Sequence, residues 1–331
     1  MKKVAVIFLA MVFILAIGFS GCKAEEAITE ETKSEGPVRV GVSYASLDIE
    51  FFLLYQRGIQ DKAKELGVEL VEADSQYDAE KQVNNIESII AQGVDAIIIH
   101  PVDETAVVPG VEAANKAGIP VFALDRKPTG GQFAYLSAGH EQIGQLQGEF
   151  MAKALNGKGD LGFIKGVEGE SYVQKLKDNM LKVFEGYPDI KIVFEQNGDW
   201  DRAKAAELTE NLLTAFPDVN GVVYQADMMA MGGYEVIKNA GKLDQITMIG
   251  GDADLDMLQA IKRGDIEATV NPKPVESGEI ALEASYQLAT KGAIEGAKDV
   301  DGTPTLFVPV ELITIDNVDT TKAWGVIELE E

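Results

Sequence analysis

DAIIIHP (95–101) and IPVFALD (119–125) are the two stretches on which the fold turns. Each is a near-continuous apolar run closed by a polar end, without the alternation of a strand that faces water on one side. Such runs mark strands buried on both faces of a parallel sheet. Between them TAVVPGVEAANKAG (105–118) has helical spacing. It ends on Gly118, the residue type favoured where a helix closes in the left-handed conformation. Pro109 inside it marks the first turn, where a missing N–H costs nothing. Strand, helix, strand is the parallel crossover unit, and such units are right-handed.

Working outward, the rhythm continues. VRVGVSY (38–44) and VELVEAD (68–74) read as strands, with helical patterns from about Phe51 to Leu66 and over AEKQVNNIESIIAQ (79–92). Further on, DLGFIKG (160–166), IKIVFEQ (190–196), VNGVVYQAD (219–227) and ITMIGGD (246–252) are strands separated by helical stretches. IESIIAQGVDAIIIHPVD (86–103) and ENLLTAFPDVNGVVYQAD (210–227) echo each other as helix, turn, buried strand and polar end. Two successive series imply an α/β fold of two doubly wound parallel-sheet lobes. No Pro- or Ser-rich linker separates them, so the chain is expected to cross on several strands at a hinge, with a ligand cleft between the lobes. The expected division is 37–139 with 272–310 as the N-terminal lobe, and 140–271 with 311–331 as the C-terminal lobe.

The totals exclude several classes of function. The 331 residues carry 29 Lys+Arg against 54 Asp+Glu, a net charge of −25. That excess repels phosphate backbones, so nucleic acid is not an expected partner. One cysteine leaves no disulfide framework and no Cys-rich metal site. Two histidines, His100 and His140, leave little for zinc or His-based catalysis, and both read as structural. DADLD (252–256) invites a calcium loop, but Met257 and Arg263 stand where that loop needs Gly and Glu. The glycines of TGG (129–131) and MGG (231–233) lack the spacing of a phosphate-binding loop. No cofactor and no metal are expected.

The cysteine has its own explanation. Lys2 and Lys3 precede an apolar run from Val4 to Phe19, short for a membrane span and suited to a signal peptide. Phe19-Ser20-Gly21-Cys22 resembles a bacterial lipobox, with Phe19 in place of the usual Leu. The expectation is a signal peptide over 1–21 and a lipid on Cys22. Acyl chains anchor by burying methylenes, at roughly 0.8 kcal/mol each. Residues 22–36 are acidic and aperiodic, and read as a flexible tether. The protein is then exported and held at the outside of the cytoplasmic membrane or in the periplasm.

In doubly wound sheets ligands bind beyond the carboxyl ends of the strands. Those ends offer Ser46, Asp48, Phe51 and Phe52; Pro101 and Asp103; Asp125 and Arg126; Gly166, Glu168, Gln174 and Lys175; Asp199, Trp200 and Asp201; Gln225 and Asp227; Gly251 and Asp252. There is no nucleophile–base pair, so no enzyme is expected. Carboxylates and a guanidinium suit hydroxyls that both donate and accept. Aromatic faces suit the C–H faces of a sugar ring. Together they point to a neutral polyhydroxylated ligand. Asp125-Arg126 also fits a surface ion pair, and Asp227 and Asp252 each fit a helix N-cap. Neighbours on a helix face different ways, so one of Phe51 and Phe52 is expected in the core.

VGVSYASLDIEFF, DSQYDAEKQVNNIESIIAQGVDAIIIHPVDE and IPVFALDRKPTG resemble the periplasmic sugar-binding proteins of ABC importers, of the ribose-binding type. NGDWDRAKAAELTENLLTAFPDVNGVVYQADMMAMGG and TMIGGDADLDMLQAIKRGDIEATVNPKP resemble that family's second lobe, and the likeness runs over roughly 38–315. It implies that Asp125 and Arg126 bond ring hydroxyls, that Phe51 and Phe52 supply an aromatic pair, and that Trp200 stacks on the other sugar face. It places the second-lobe carboxylate on Asp252 and a hinge residue on Asn271. The family's second-lobe Arg falls on Gln174. Its Asn before Asp falls on Ala226, so that either Gln225 or Asp227 reaches in or the contact is lost. SLDIE replaces an Asn-rich stretch with a two-residue insertion, where Asp48 supplies the polar contact. The resemblance implies a monomer that captures a monosaccharide or polyol by hinge closure and delivers it to ABC permease subunits. The rivals are a sensing module for a chemoreceptor or sensor kinase, and a binder of another solute such as a nucleoside. A surface carbohydrate hydrolase would need paired carboxylates around a bond. A sugar-responsive repressor would need a basic DNA-binding headpiece, which is absent from the sequence.

Overall fold

The computed structural model describes residues 36–321. The expected signal peptide, Cys22 and most of the tether lie outside the described residues, as does 322–331. The chain runs β1 (Arg39–Tyr44), α1 (Glu50–Leu66), β2 (Glu69–Asp74), α2 (Ala79–Ala91), β3 (Ala96–Ile99), α3 (Val108–Lys116), β4 (Val121–Leu124) and β5 (Ala134–Ser137). It continues with α4 (His140–Ala154), β6 (Lys158–Lys165), α5 (Ser171–Phe184), β7 (Asp189–Asn197), α6 (Arg202–Ala215), β8 (Gly221–Tyr224), α7 (Asp227–Asn239), β9 (Thr247–Ile249), α8 (Leu255–Arg263) and β10 (Ala268–Asn271). Helix α9 (Pro274–Lys291), β11 (Lys298–Val300), β12 (Thr303–Phe307) and β13 (Glu311–Thr314) complete it.

The strands form two sheets, in the orders β11-β12-β5-β4-β3-β1-β2 and β13-β10-β9-β8-β6-β7. Pairing is parallel throughout except at β11/β12 and β10/β13. The two stretches that open the sequence reading become β3 and β4, central in the first sheet and buried along their whole length. Ile97, Ile98 and Ile99 are fully enclosed. Burying one such side chain stabilises by about 1.5–3 kcal/mol. Both faces are covered, which is why these strands carry no polar alternation. On one side Val40, Val42 and Phe122 pack against Ala281 and Leu282 of α9. On the other Ile97 and Ile99 pack against Ile86 and Ile89 of α2 and Val111 of α3. The second sheet is covered by α7 and α8 on one side and by α4 and α5 on the other.

Local chemistry fixes the helix ends. Asp78, Asp201 and Asp254 cap α2, α6 and α8, each accepting a backbone N–H three residues on. Pro109 sits in the first turn of α3. Helices α1 and α9 approach through Gly58 and Gly278, where a Cβ on either would overlap the other helix's backbone. No helix among the described residues is long and apolar enough to cross a membrane.

The chain passes between the sheets three times, at 138–139, 272–273 and 308–310. Gly139 holds φ 75° at the first passage, and a Cβ there would press on Val310 of the third. Lys273, at the second, holds φ 53°. Short links of this kind concentrate a hinge motion in a few backbone angles. Strands β5, β10, β11, β12 and β13 go unread in the sequence. Each is three to five residues long. Three of the five, β11, β12 and β13, lie toward a sheet edge, where burial is incomplete and the apolar pattern breaks.

Candidate functional site: a cleft between two lobes

A cavity of about 880 Å³ lies between the lobes, at the carboxyl ends of the strands. Its size is within the range of about 300–1,000 Å³ usual for small-molecule sites. The first lobe contributes Phe51, Phe52, Tyr55, Tyr77, Asp125 and Arg126, and the second Tyr172, Trp200, Arg202, Gln225 and Asp252.

Asp125 and Arg126 follow β4 in a tight turn. Asp125 holds φ 70°, and the Arg126 N–H donates to Leu124 O at 2.8 Å. The turn is pinned by the Tyr135 hydroxyl, which donates to Asp125 O at 2.7 Å. The Arg126 guanidinium donates to Pro101 O, Val102 O and the Tyr77 hydroxyl. It also lies 5.6 Å from the centre of the Tyr77 ring and 5.7 Å from that of Tyr172. The pair is therefore buried in the cleft floor and is not a surface ion pair.

The Asp125 carboxylate lies between two imidazoles. His100 Nε2 is 3.4 Å from Oδ2, and His140 Nε2 is 3.1 Å from Oδ1. These are ion-pair distances without hydrogen-bond alignment: Oδ1 and both His100 ring nitrogens are buried with no aligned partner. Burial pushes the Asp125 carboxyl up, but His140 and His100 more than offset that and hold it well below the usual range. Burial holds His100 below its ordinary value in spite of Asp125. Asp125 is thus an anion at neutral pH and lines the cavity.

The aromatic walls divide between the lobes. Phe51 and Phe52 both line the cavity. Phe52 is also core, edge-on to His100 at 4.4 Å. Trp200, at φ 56°, stacks on Tyr172 at 5.5 Å with 6° between the planes. Its Nε1 donates to Glu170 at 2.9 Å.

Several sequence-predicted residues sit elsewhere. Gln174 is exposed on α5 and donates to Asp178 at 2.7 Å. Positions four apart share a helix face, so Tyr172 and Leu176 reach the cavity and Gln174 between them does not. Asp48 is exposed outside the cavity, its backbone N–H donating to Ser46 Oγ at 3.1 Å; Ile49 and Glu50 line the rim instead. Asn271 ends β10 at the second passage and accepts the Lys273 N–H at 2.8 Å. Gln225 lines the cavity, but its amide accepts from Gly166 N and donates to Val173 O.

Asp227 is fully buried and braces the second lobe from within. It accepts from Thr269 Oγ1 at 2.7 Å and from Asp254 N at 3.0 Å. It is the first residue of α7 and not that helix's cap. The cap comes from Asp252, which accepts the Asp227 N–H at 3.0 Å and also lines the cavity. Burial, then Asp254, pushes Asp227 well above the usual carboxylate range.

Tyr55, Tyr77, Tyr172, His140 and Arg202 are absent from the sequence-derived site. Tyr77 follows β2, the strand end left out of that inventory, and was legible there. His140 was not, because it opens α4 beyond the passage at 138–139 and meets Asp125 of the first lobe only in the folded chain.

Residues 40–293 match the family model described as a periplasmic binding protein domain. The ribose import binding protein of Bacillus subtilis is 32% identical over 288 residues, covering 86% of this chain and 92% of that protein. Among solved structures, an ABC transporter periplasmic solute binding protein from Actinobacillus succinogenes 130z with bound D-allose superposes with a TM-score of 0.77. It is 27% identical and covers 86% of this chain and 100% of its own. An ABC transporter solute binding protein from Bacillus halodurans C-125 with bound myo-inositol gives a TM-score of 0.76 at 29% identity. It covers 87% of this chain and 98% of its own.

Proposed function

This chain belongs to the periplasmic binding protein family, and we propose that within it the protein captures a monosaccharide or polyol by hinge closure and hands it to an ABC permease. The family's sugar and polyol members are solute-binding components of ABC transporters and not enzymes. One observation carries the ligand class. An ionised carboxylate, Asp125, lines an aromatic-walled cavity beside the Arg126 guanidinium. A carboxylate accepts from ring hydroxyls, beside flat apolar walls that suit ring C–H faces.

A thermal-shift screen of the protein against monosaccharides, polyols, nucleosides and amino acids tests this reading. A ligand that binds only the native state raises Tm by mass action. A rise with a sugar or polyol is expected. A rise confined to a nucleoside or amino acid would overturn the ligand class and keep the fold.

Contacts across the cleft would support closure. On one rim Ser171 Oγ of the second lobe donates to Glu104 of the first at 2.8 Å. On the other, Ile49, Met228 and Leu255 are exposed apolar side chains beside the cavity. Contacts made only in the closed form favour that form by their own free energy. A single hydrogen bond contributes about 0.5–1.5 kcal/mol. Ser171→Ala is therefore expected to speed ligand dissociation by roughly 2- to 12-fold, measured by stopped-flow fluorescence. An unchanged rate would remove this contact from the closure mechanism.

The anchor completes the proposal: a lipid on Cys22 keeps the binder beside its permease. Cys22→Ser is expected to move the protein from the membrane fraction to the soluble one. Continued sedimentation with membranes would count against lipidation.

A further inference from the structure

The first-lobe turn that carries Asp125 and Arg126 is met by a row of rings from the second lobe. His140, Tyr172 and Trp200 follow one another, with 5.3 Å and then 5.5 Å between ring centres. The first two rings are tilted by 34°, and the last two are nearly parallel at 6°. His140 opens α4, and Tyr172 lies in the first turn of α5. Both helices cover one side of the second sheet. Two rings of the row face two adjacent residues of the first lobe. His140 Nε2 lies 3.1 Å from Asp125 Oδ1, and the Arg126 guanidinium carbon lies 5.7 Å from the centre of the Tyr172 ring.

Both sides of this contact are fixed. Arg126 is tied to its own lobe by bonds to Pro101 O, Val102 O and Tyr77, and Tyr135 pins the turn beside it. The far end of the row is held where Trp200 Nε1 donates to Glu170. A flat guanidinium suits a ring face, and the attraction strengthens when water is excluded. Arg126 is only 8% exposed. Ser171, which donates to Glu104, comes from the same turn of α5. One turn of one helix thus reaches the first lobe at two places. Such contacts favour the arrangement that makes them by their own free energy. Apparent affinity rises with the fraction of protein already in the competent arrangement.

Resting on the solute-binding reading, we propose that Tyr172 is a positioning residue for closure. It acts through Arg126. Its ring, laid over the guanidinium, bridges the lobes at the turn that meets the solute, and it raises the population of the closed form.

The test begins without any solute, by small-angle neutron scattering of the full-length protein in contrast-matched detergent. Tyr172→Leu is expected to enlarge the radius of gyration, and Tyr172→Phe, which keeps the ring, to leave it unchanged. Trp200→Leu breaks the same stack from within the second lobe and is expected to leave it unchanged as well. Tyr172→Met, equally without a ring, repeats the test if the leucine variant folds poorly. Calorimetric titration with ribose, glucose, galactose and myo-inositol follows. On any of them that binds, the leucine variant is expected to lose about tenfold in affinity and the phenylalanine variant to stay within about threefold. A native radius in the ringless variants overturns the bridge. Equal opening by the phenylalanine variant or by Trp200→Leu also overturns it, since the effect then belongs to the hydroxyl or to the stack. A native protein that binds none of the four solutes counts against the sugar reading, while the scattering still decides the bridge.

Discussion

Asp125→Asn is expected to lower ligand affinity by about 100-fold or more while the protein stays folded. The side chain keeps its shape and loses its charge. A hydrogen bond to a charged group contributes about 1.5–3 kcal/mol, and each 1.4 kcal/mol is tenfold in affinity. Two ligand hydroxyls on one carboxylate would account for the loss. Asparagine is the right replacement because it tolerates the left-handed backbone that residue 125 holds, at φ 70°. Alanine would add backbone strain to the lost contact. Calorimetry with the ligand found in the screen measures the effect. Affinity within threefold of the native protein, in a mutant with a normal melt, would remove Asp125 from the site.

The same substitution has a pH signature. The folded pKa of Asp125 is depressed, chiefly because His140 and His100 outweigh the effect of burial. A carboxyl depressed on folding contributes stability that is fully present above its unfolded value, about 3.9. That contribution is lost as pH falls through the folded value. Asp125→Asn removes it, so the mutant's melting temperature should fall less steeply than the native protein's below about pH 4. Parallel acid limbs would mean that the imidazoles do not hold the charge.

Gly166→Ala is expected to weaken binding by roughly 10- to 100-fold from a residue that contributes no side chain of its own. A Cβ at 166 would overlap the six-membered ring of Trp200. The indole must swing away, breaking its stack on Tyr172 and its bond to Glu170. An aromatic pair is worth about 0.5–1.5 kcal/mol beyond its buried area, and a displaced ring no longer walls the cavity. Trp200→Ala should cost a similar amount, and the double mutant little more than either, because both remove one interaction. The emission of Trp200 reports the displacement directly, since the chain has two tryptophans. Full additivity of the two mutations would separate Gly166 from Trp200.

The backbone architecture was legible because its causes are local. Strands buried on both faces must be apolar throughout, so IIIH and FALD announced a central parallel sheet. The crossovers between them have one hand. In doubly wound sheets ligands bind beyond the carboxyl ends of the strands, and that rule picked out Asp125, Arg126, Phe51, Phe52, Trp200 and Asp252, which line one cavity. What the sequence left open was decided by rotation and apposition. The turn that starts α5 points Tyr172 inward and Gln174 outward, and no spacing rule sets that phase without the packed sheet beneath. In the sequence Asp227 reads equally as a cap or a ligand contact, and Thr269, 42 residues away, and Asp254 make it a brace instead. His100 and His140 lie 40 positions apart on different lobes, and each reads as an ordinary structural histidine. The tertiary fold sets both beside one carboxylate. The through-space field of two imidazoles, unlike a hydrophobic period, leaves no local mark on the chain.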